Sequence, residues 1–329
     1  MDRVRIGLIG AGVMGHIHAR CLSSHVDRAD LVAVADLDLG KASGCAEEFG
    51  VSGAYAGYRE MLADASIDAV VICTPGNTHA EIIDAAANAG KHIFCEKPID
   101  WDLAAVDRAL AAVERAGVKL QVGFQRRFDG EFQRVRETVV SGAVGRPHIL
   151  HLISRDPTSP YAGPKREGDL YFDSAIHDLD MVRYLTGEEV ESVVSFGAAV
   201  GLAEEGAGDD PDTAVTLLRL KSGAIASIDN SRRSSHYDQR AEVFGPGDVV
   251  CVENQPAESR PETDDDMPFF AYRYWDSYVS ELSAFVDCVR GDRQPEVTGS
   301  DGRAALVLAL AALKSYREGR PVTVSEAGC

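Results

Sequence analysis

The sequence predicts an α/β protein in which a doubly wound parallel sheet is followed by an α+β part with an antiparallel sheet. The length of 329 residues exceeds what one hydrophobic core usually supports, so two domains are expected. Strand-like and helix-like segments alternate up to about residue 124, and consecutive strands dominate after it. The expected domains are therefore residues 1–124 and residues 125–329.

In the first half, short apolar runs with the length of a buried strand are separated by longer amphipathic segments. The predicted strands are residues 4–9, 31–35, 69–73, 92–95 and 120–123, and the predicted helices are residues 38–49, 78–89 and 103–116. Strands that alternate with helices in this way form a parallel sheet covered on both faces.

In the second half, strand-like runs follow one another across tight turns such as residues 221–223 and 245–247. The predicted strands are residues 148–155, 190–200, 213–220, 224–230, 240–244, 248–252 and 322–324, and the predicted helices are residues 130–140, 168–182, 277–290 and 302–317. Turn-linked strands predict an antiparallel sheet. We interpret the acidic segments 204–212 and 253–268 as surface loops.

Composition excludes several classes of protein. The formal net charge of −19 would repel a phosphate backbone, and no basic cluster offsets it, so no nucleic-acid partner is expected. Seven cysteines without a CxxC pair indicate reduced thiols, and the sequence shows no clustered metal ligands, so no metal is expected. The longest apolar run, residues 304–313, is about half of the roughly 20 residues that cross a bilayer. We therefore expect a cytoplasmic protein without a membrane partner.

A glycine-rich motif, GAGVMG at residues 10–15, directly follows the first predicted strand and opens a helix. Gly10 would make the tight turn, Gly12 would let the backbone approach a pyrophosphate, and Gly15 would allow close packing of the helix on the strand. The first helical residues, Val13 and Met14, would then present their backbone N–H groups to the phosphates. This context predicts a dinucleotide site.

The second predicted strand ends in Asp36, which lies 21 residues after Gly15. A carboxylate there accepts hydrogen bonds from the ribose hydroxyls of the adenosine and repels a 2′-phosphate. We therefore expect NAD rather than NADP as the cofactor. Lys41 is the nearby residue that would favour NADP.

Two further polar segments follow predicted strands and should lie at the same edge of the sheet. The first has the sequence CTPGNTH and would line the cofactor path. Its expected contacts are Cys73, Thr74, Pro75, Asn77 and His79. Asn77 or Thr78 would equally serve as the N-cap of the next helix.

The second segment is Glu96-Lys97-Pro98. A lysine at the rim of a dinucleotide cleft would hydrogen-bond a substrate hydroxyl, although its residue type and position also fit a surface lysine.

Six motifs, in this order and spacing, resemble the Gfo/Idh/MocA family of oxidoreductases, and especially its inositol dehydrogenase group. They are GAGVMGHIHA, AVAD, VVICTPGNTHAE, FCEKP, GFQRRFD and FDSAIHDLDMVRYL. The resemblance implies an N-terminal Rossmann domain and a C-terminal domain whose large, open, mostly antiparallel sheet mediates a homotetramer or homodimer. It also implies NAD(P)-dependent oxidation of a secondary alcohol, with myo-inositol or a close isomer as the polyol substrate.

The resemblance also assigns roles to individual residues. It implies that Lys97, Asp173 and His177 are catalytic and contact the substrate, and that Glu96 and Lys97 lie beside the cofactor. It implies that Arg127, Asp156 and Tyr237 line the substrate pocket, although Asp156 stands where some members of the family carry Asn.

The chemistry of alcohol oxidation agrees with this assignment, since the cofactor takes the hydride and the protein must supply a base. On an α-helix, Asp173, His177 and Asp180 would share one face within about 60°. A carboxylate beside one imidazole nitrogen raises the basicity of the other, so His177 is the expected base and Asp173 its partner. Asp180 is interpreted as a helix-internal hydrogen-bonding group, and Asp178 as a salt-bridge or surface residue.

Other functions use the same residues. A pyranose dehydrogenase or a dehydrogenase of aminocyclitol synthesis would need the same site, and a lyase or glycosidase that oxidises transiently would release no reduced cofactor. A dinucleotide-binding regulator without catalysis shares the fold, but the presence of Lys97, Asp173 and His177 argues against it.

Overall fold

The computed structural model describes residues 2–157, 168–200, 210–254 and 267–328. By their contacts the residues group into two compact units. Unit 1 comprises residues 1–128 and 275–303, and unit 2 comprises residues 129–274 and 304–329. The domain boundary after residue 124 stays a prediction. The acidic segments at 204–212 and 253–268 lie mostly outside the described residues.

Unit 1 contains a six-stranded sheet with helices between its strands. Its strands are β1 (Val4–Ile9), β2 (Ala29–Ala35), β3 (Gly53–Tyr55), β4 (Ala69–Ile72), β5 (His92–Glu96) and β6 (Leu120–Gly123). Its helices are α1 (Val13–Ser24), α2 (Leu39–Glu48), α3 (Tyr58–Leu62), α4 (His79–Asn88) and α5 (Leu103–Ala116). Short 3₁₀ turns lie at Gly76–Thr78 and Gln125–Phe128.

The sheet of unit 1 is parallel throughout and has the order β3-β2-β1-β4-β5-β6. Its central strands are buried on both faces, as their continuous apolar runs predict. The chain reverses its direction of growth between β1 and β4, so the carboxyl ends of these strands flank the crevice in which such sheets bind ligands. The predicted doubly wound fold is confirmed.

Two helices of unit 1, α2 and α5, begin where a short polar side chain replaces the missing backbone partners. Asp38 accepts hydrogen bonds from two N–H groups at the start of α2, and Asp102 accepts one at the start of α5. Gly117, with φ +67°, ends α5 in the left-handed conformation that glycine tolerates best.

Unit 2 contains a seven-stranded sheet. Its strands are β7 (Ile149–Pro157), β8 (Val190–Ala198), β9 (Thr213–Leu220), β10 (Ile225–Ser234), β11 (Asp238–Phe244), β12 (Val249–Val252) and β13 (Val322–Thr323). The remaining helices of the described residues are α6 (Gly130–Val140), α7 (Ile176–Thr186), α8 (Phe269–Gly291), α9 (Gly299–Glu318) and α10 (Val324–Ala327). Helix α8 is kinked at Tyr274, where φ is −113° and ψ is 19°. A π-helical turn, Leu170–Ala175, precedes α7.

The sheet of unit 2 has the order β12-β11-β7-β10-β9-β8-β13 and is antiparallel except where β10 pairs with β7. Burial alternates along its strands, most regularly in β9, so one face packs against the core and the other is open. The predicted mostly antiparallel open sheet is confirmed.

No helix in the described ranges is long and apolar enough to span a bilayer. The six cysteines in those ranges are all free thiols.

Candidate active site

The glycine-rich turn connects β1 to α1, and packing requires glycine at two of its positions. Gly10 has φ +98°, and a Cβ there would lie 2.8 Å from the carbonyl carbon of Cys73. A Cβ on Gly15 would lie 2.0 Å from the carbonyl oxygen of Gly10. A Cβ on Gly12 would meet no atom within 4 Å. Gly10 and Gly15 therefore shape the turn, and Gly12 leaves open space beside it.

The N-terminus of α1 offers donors to an anion. Val13 is exposed and Met14 is half-buried, and both lie in the first turn, where backbone N–H groups have no partner within the helix. No side chain caps this helix, and its first turn contains no acidic residue. A pyrophosphate fits both the free donors and the helix dipole.

Asp36 lies beyond the end of β2 and holds two stretches of backbone, the glycine-rich turn after β1 and the segment after β2. Its Oδ2 accepts the N–H of Ala11 at 2.9 Å, and its Oδ1 accepts the N–H of Asp38 at 2.9 Å. The carboxylate therefore supports the glycine-rich turn, a role that spacing alone does not indicate.

The segment after β4 is fixed by internal hydrogen bonds. Thr78 occupies the N-cap position of α4, but its hydroxyl bonds to Thr74 Oγ1 and to the Pro75 carbonyl, each at 2.7 Å, so its side chain does not cap the helix. Thr78 is therefore the N-cap residue, one of the two expected, but it caps by position only, because its hydroxyl is used within its own loop. Asn77 lies in the exposed 3₁₀ turn.

His79 joins this segment to the one after β5. The ring is buried, with Nδ1 at 2.7 Å from the Pro98 carbonyl and Nε2 at 2.6 Å from the Thr74 carbonyl. Burial lowers the pKa of His79, and the two carbonyls oppose that shift. Cys73, at the head of the loop, has a thiol whose pKa burial raises well above its usual value, so it is a neutral thiol there.

Glu96 and Lys97 stand at the end of β5. The Glu96 carboxylate is buried and lies 2.7 Å from Nε2 of His18. Its other oxygen accepts the backbone N–H of Lys97 at 3.3 Å. Lys97 is half-buried and is followed by a cis peptide bond to Pro98. The segment that bears the lysine is thus held by a buried carboxylate.

Unit 1 therefore brings the predicted cofactor residues to one edge of its sheet, at the carboxyl ends of β1, β2, β4 and β5.

Arg127 also belongs to this unit, where it is buried and forms an ion pair with Asp301 at 3.1 Å. Burial opposes ionisation of Asp301, but Arg127 and Thr298 lower the pKa of this carboxyl overall.

The sequence predicts one regular α-helix over residues 168–182. In unit 2, this segment instead contains a π-helical turn before α7. Asp173 lies in the π-helical turn, where the carboxylate is largely exposed and pairs with Nη2 of Arg232 at 2.9 Å. His177 lies in the first turn of α7 and is buried. The 100° rotation assumed between successive residues therefore fails at Asp173. The pairing of Asp173 with His177 stays a prediction.

The interpretation of Asp178 as a surface residue is wrong, and its interpretation as a salt-bridge residue stays a prediction. Asp178 is buried and accepts hydrogen bonds from Ser154 Oγ and Asn230 Nδ2, both at 2.9 Å. Two sheet residues thereby anchor the start of α7. Asp180 is also buried.

Arg232, on β10, connects several acidic groups of unit 2. It donates to the carboxylates of Asp169 and Asp173 and, through Nε, to Ser174 Oγ at 3.2 Å. Burial alone would lower the pKa of Arg232, but the carboxylates of Asp173 and Asp169 raise it by more than that. The pKa is therefore raised overall, and the guanidinium stays charged. Sequence reasoning missed this residue, since an arginine in a strand next to a turn carries no signal of its own.

Asp156 joins the same network, because its carboxylate accepts Ser174 Oγ and Gln239 Nε2, each at 3.1 Å. Tyr237 is half-buried and packs its ring 4.9 Å from that of Phe269. Unit 2 thus brings Asp156 and Asp173 together around Arg232 and Ser174.

Comparison with known families gives two matches. Residues 4–124 match the model described as oxidoreductase family, NAD-binding Rossmann fold, and residues 132–250 match the Gfo/Idh/MocA C-terminal domain.

Among individual proteins, the chain is 43% identical to myo-inositol 2-dehydrogenase of Thermotoga maritima, over 98% of this chain and 99% of that protein. It is 41% identical to inositol 2-dehydrogenase of Rhizobium meliloti, over 98% and 99% of the two chains. The crystal structure of scyllo-inositol dehydrogenase from Lactobacillus casei, with bound NAD(H) and scyllo-inositol, superposes with a TM-score of 0.89 at 28% identity, over 98% and 99% of the chains. With both domain models matched and near-complete coverage of its relatives, the chain belongs to the Gfo/Idh/MocA family of NAD-binding oxidoreductases.

Proposed function

We propose that this protein oxidises a secondary alcohol of a cyclitol, myo-inositol or a close isomer, to the corresponding ketone with NAD as hydride acceptor. The observation that carries the proposal is the similarity, over 98% of the chain, to a protein named for the oxidation of inositol. The presence of Lys97 in the FCEKP segment and of His177 on α7 supports it, because the family resemblance implies catalytic roles for both.

The proposed cofactor contacts follow from the edge of the unit 1 sheet. Gly12, Val13 and Met14 offer backbone N–H groups to the pyrophosphate, and Asp36 accepts the ribose hydroxyls. The residues expected along the rest of the cofactor are Gly10, Gly15, Cys73, Thr74, Pro75, Asn77, His79, Glu96 and Lys97. When bound, NAD supplies the acceptor for the hydride.

The protein must then remove the hydroxyl proton and orient the carbon. We assign proton removal to His177, whose burial on α7 limits the positions that its ring can take. We assign to Lys97 a hydrogen bond to the reacting oxygen, which stabilises its alkoxide character. Asp173, oriented by Arg232, would hold a neighbouring hydroxyl or the imidazole of His177.

The proposed substrate-binding residues are Arg127, Asp156 and Tyr237, together with Lys97, Asp173 and His177. Polyols offer many similar hydroxyls, and a pocket selects one of them by hydrogen bonds to its neighbours. Asp301 holds Arg127, Gln239 holds Asp156, and the Phe269 ring packs against Tyr237. Because these three side chains are already held in place, they would bind such hydroxyls at low entropic cost.

The test is NADH formation, read by absorbance, across a panel of inositol isomers and aldoses. We expect turnover with an inositol isomer and much less with aldoses. His177→Ala and Lys97→Ala should each lower kcat by about 10²–10⁴, the usual contribution of general acid–base catalysis, while fluorescence titration finds the NAD affinity little changed. Lys221→Ala, in the exposed turn between β9 and β10, is the matched control. Oxidation confined to aldoses would refute the substrate assignment, and near-wild-type kcat in either site variant would refute the roles of the residues.

We also propose that the open face of the unit 2 sheet joins copies of this chain in a homodimer or homotetramer. Apolar side chains on this sheet are 40–66% exposed, and exposed apolar patches often mark protein–protein contacts. They are Ile149, Phe196, Val215, Leu217, Ile225, Phe244 and Val249.

A further inference from the structure

Unit 1 contains a buried group of three ionisable side chains that take no part in the proposed proton and hydride transfers, although Glu96 is one of the residues expected along the cofactor. His18 comes from α1, Glu96 from the end of β5 and Glu281 from α8. One polar atom from each residue lies within 4.8 Å of those of the other two, and the residues are 0%, 7% and 0% exposed. Two carboxyl groups in so little solvent need compensation, since an uncompensated buried charge is costly.

One carboxyl group of the cluster is well compensated. Glu96 receives Nε2 of His18 at 2.7 Å and the Lys97 backbone N–H at 3.3 Å. The His18 ring is also held by edge contacts with the rings of Phe94 and Tyr278, whose centroids lie 5.3 and 5.7 Å away. Glu96 is therefore the better compensated of the two carboxyl groups, and His18 fixes its orientation.

The other carboxyl group is not compensated in this way. Within the described part of the chain, neither oxygen of Glu281 has a hydrogen-bond partner. The titratable groups that face it are Glu96 on β5, His18 and Cys21 on α1, and Cys73 after β4. Gln121 on β6 donates to the backbone carbonyl of residue 281 at 2.7 Å, so it adds no positive charge. Burial and the neighbouring Glu96 carboxylate raise the pKa of Glu281 well above its usual value.

A proton or a metal ion would neutralise Glu281, and the geometry favours the proton. Two ligands of a tetrahedral zinc ion bound at about 2.05 Å are roughly 3.3 Å apart. His18 Nε2 and Glu96 Oε1 are separated by 2.7 Å, which is a hydrogen-bond distance. A metal ion bound by both would have to push them apart and break that bond.

We propose that His18, Glu96 and Glu281 form a proton-sharing cluster in which Glu281 is a neutral carboxylic acid beside ionised Glu96, and in which His18 and Glu281 are positioning residues for Lys97. The Glu96 carboxylate accepts the Lys97 backbone N–H, so a change in the charge of the cluster would change the position of Lys97. The positioning part rests on the proposed role of Lys97, whereas the charge state of Glu281 does not.

The charge state is tested by thermal unfolding of the full-length protein between pH 5 and 8.5. A carboxyl group that stays protonated when folded and ionises when unfolded makes the protein less stable as pH rises above about 4.5, by about tenfold in the unfolding equilibrium constant per pH unit until it ionises in the folded state. Glu281→Gln keeps the shape of the neutral acid and removes this dependence. We expect the Tm advantage of Glu281→Gln over wild type to grow steadily with pH. The exposed Glu114→Gln, on α5, should show none.

Two outcomes would overturn this assignment. One is a stability difference between Glu281→Gln and wild type that stays constant or shrinks as pH rises, which would mean that Glu281 is ionised in the folded protein. The other is about one equivalent of metal per chain, measured by mass spectrometry after dialysis against zinc or magnesium chloride, that Glu281→Gln loses.

The positioning role is tested by steady-state kinetics against pH. We expect His18→Ala and Glu281→Ala to lower kcat by about ten- to a hundredfold and to move its pH profile, and Glu281→Gln to recover most of the loss at neutral pH. A merely structural role would lower Tm in the alanine variants and leave the kcat profile of the folded protein unmoved, and that result would refute the positioning. If wild type oxidises no polyol at all, the proposed function fails while the unfolding result still stands or falls by itself.

Discussion

Gly12→Ala separates cofactor binding from folding, because the structure gives this glycine no packing role. Its backbone is extended, with φ −87° and ψ −163°, which alanine adopts readily. An added Cβ would meet no atom within 4 Å. The opposing effects of alanine on the unfolded chain and at an N-cap are each below about 1 kcal/mol, so the stability of the free protein should change little.

Binding of NAD should respond very differently. A pyrophosphate oxygen that accepts the first N–H groups of α1 must come close to the Gly12 backbone, and a methyl group there would push it away. Each lost hydrogen bond to a charged group costs about 1.5–3 kcal/mol. Loss of two would cost about 3–6 kcal/mol, which raises the Kd for NAD by about 10²–10⁴.

Two glycine variants in the same unit provide controls. Gly44→Ala, in α2, also meets no atom within 4 Å and should keep both stability and NAD affinity. Gly15→Ala places its Cβ 2.0 Å from the Gly10 carbonyl oxygen and should lose stability and affinity together. Thermal melts without cofactor and calorimetric titration with NAD measure the two properties. Wild-type affinity in Gly12→Ala would refute the position assigned to the pyrophosphate.

Two other predictions concern specificity and assembly. Asp36→Ala should weaken NAD binding and narrow its advantage over NADP by about tenfold or more, since the charge that repels a 2′-phosphate is gone, and an unchanged preference in competitive titrations would contradict the ribose contact. Leu217→Glu combined with Val215→Glu should reduce the mass measured by light scattering to that of a smaller assembly, because both side chains lie on the open sheet face. The control Val140→Glu, 68% exposed on α6, should keep the wild-type mass, and an unaltered mass in the double variant would exclude this face as the contact.

Sequence patterns predicted the elements that are long, apolar and regular. The bounds of β1, β6, α5, α6 and β9 agree with the predicted ones, because a buried strand or an amphipathic helix leaves a clear period in the sequence. β3 and α3 were not predicted, since three and five residues are too few to show a period. The parallel pairing of β10 with β7 was also beyond the sequence, which indicates where strands lie but not which strands are neighbours.

The residues of the candidate site also differ in how well the sequence predicted them. Motif spacing predicted that the glycine-rich turn, Asp36 and Lys97 share one edge of a sheet, because parallel strands bring their carboxyl ends together. Contacts between residues distant in sequence were not predicted. Arg232 lies 59 residues from Asp173, and Glu281 falls in the helix predicted at residues 277–290, far in sequence from His18 and Glu96.

The stretch from Asp173 to Asp180 shows why residue type and spacing alone leave roles open. Spacing on an ideal helix would make Asp173 and His177 neighbours, but the π-helical turn changes the rotation at Asp173, and the carboxylate meets Arg232. π-helical turns often occur at functional sites. Asp178 instead accepts two hydrogen bonds from the sheet and fixes the start of α7, the helix that carries His177. Two adjacent polar residues thus have different roles. Asp178 anchors the helix, and His177 is the residue to which we assign proton removal.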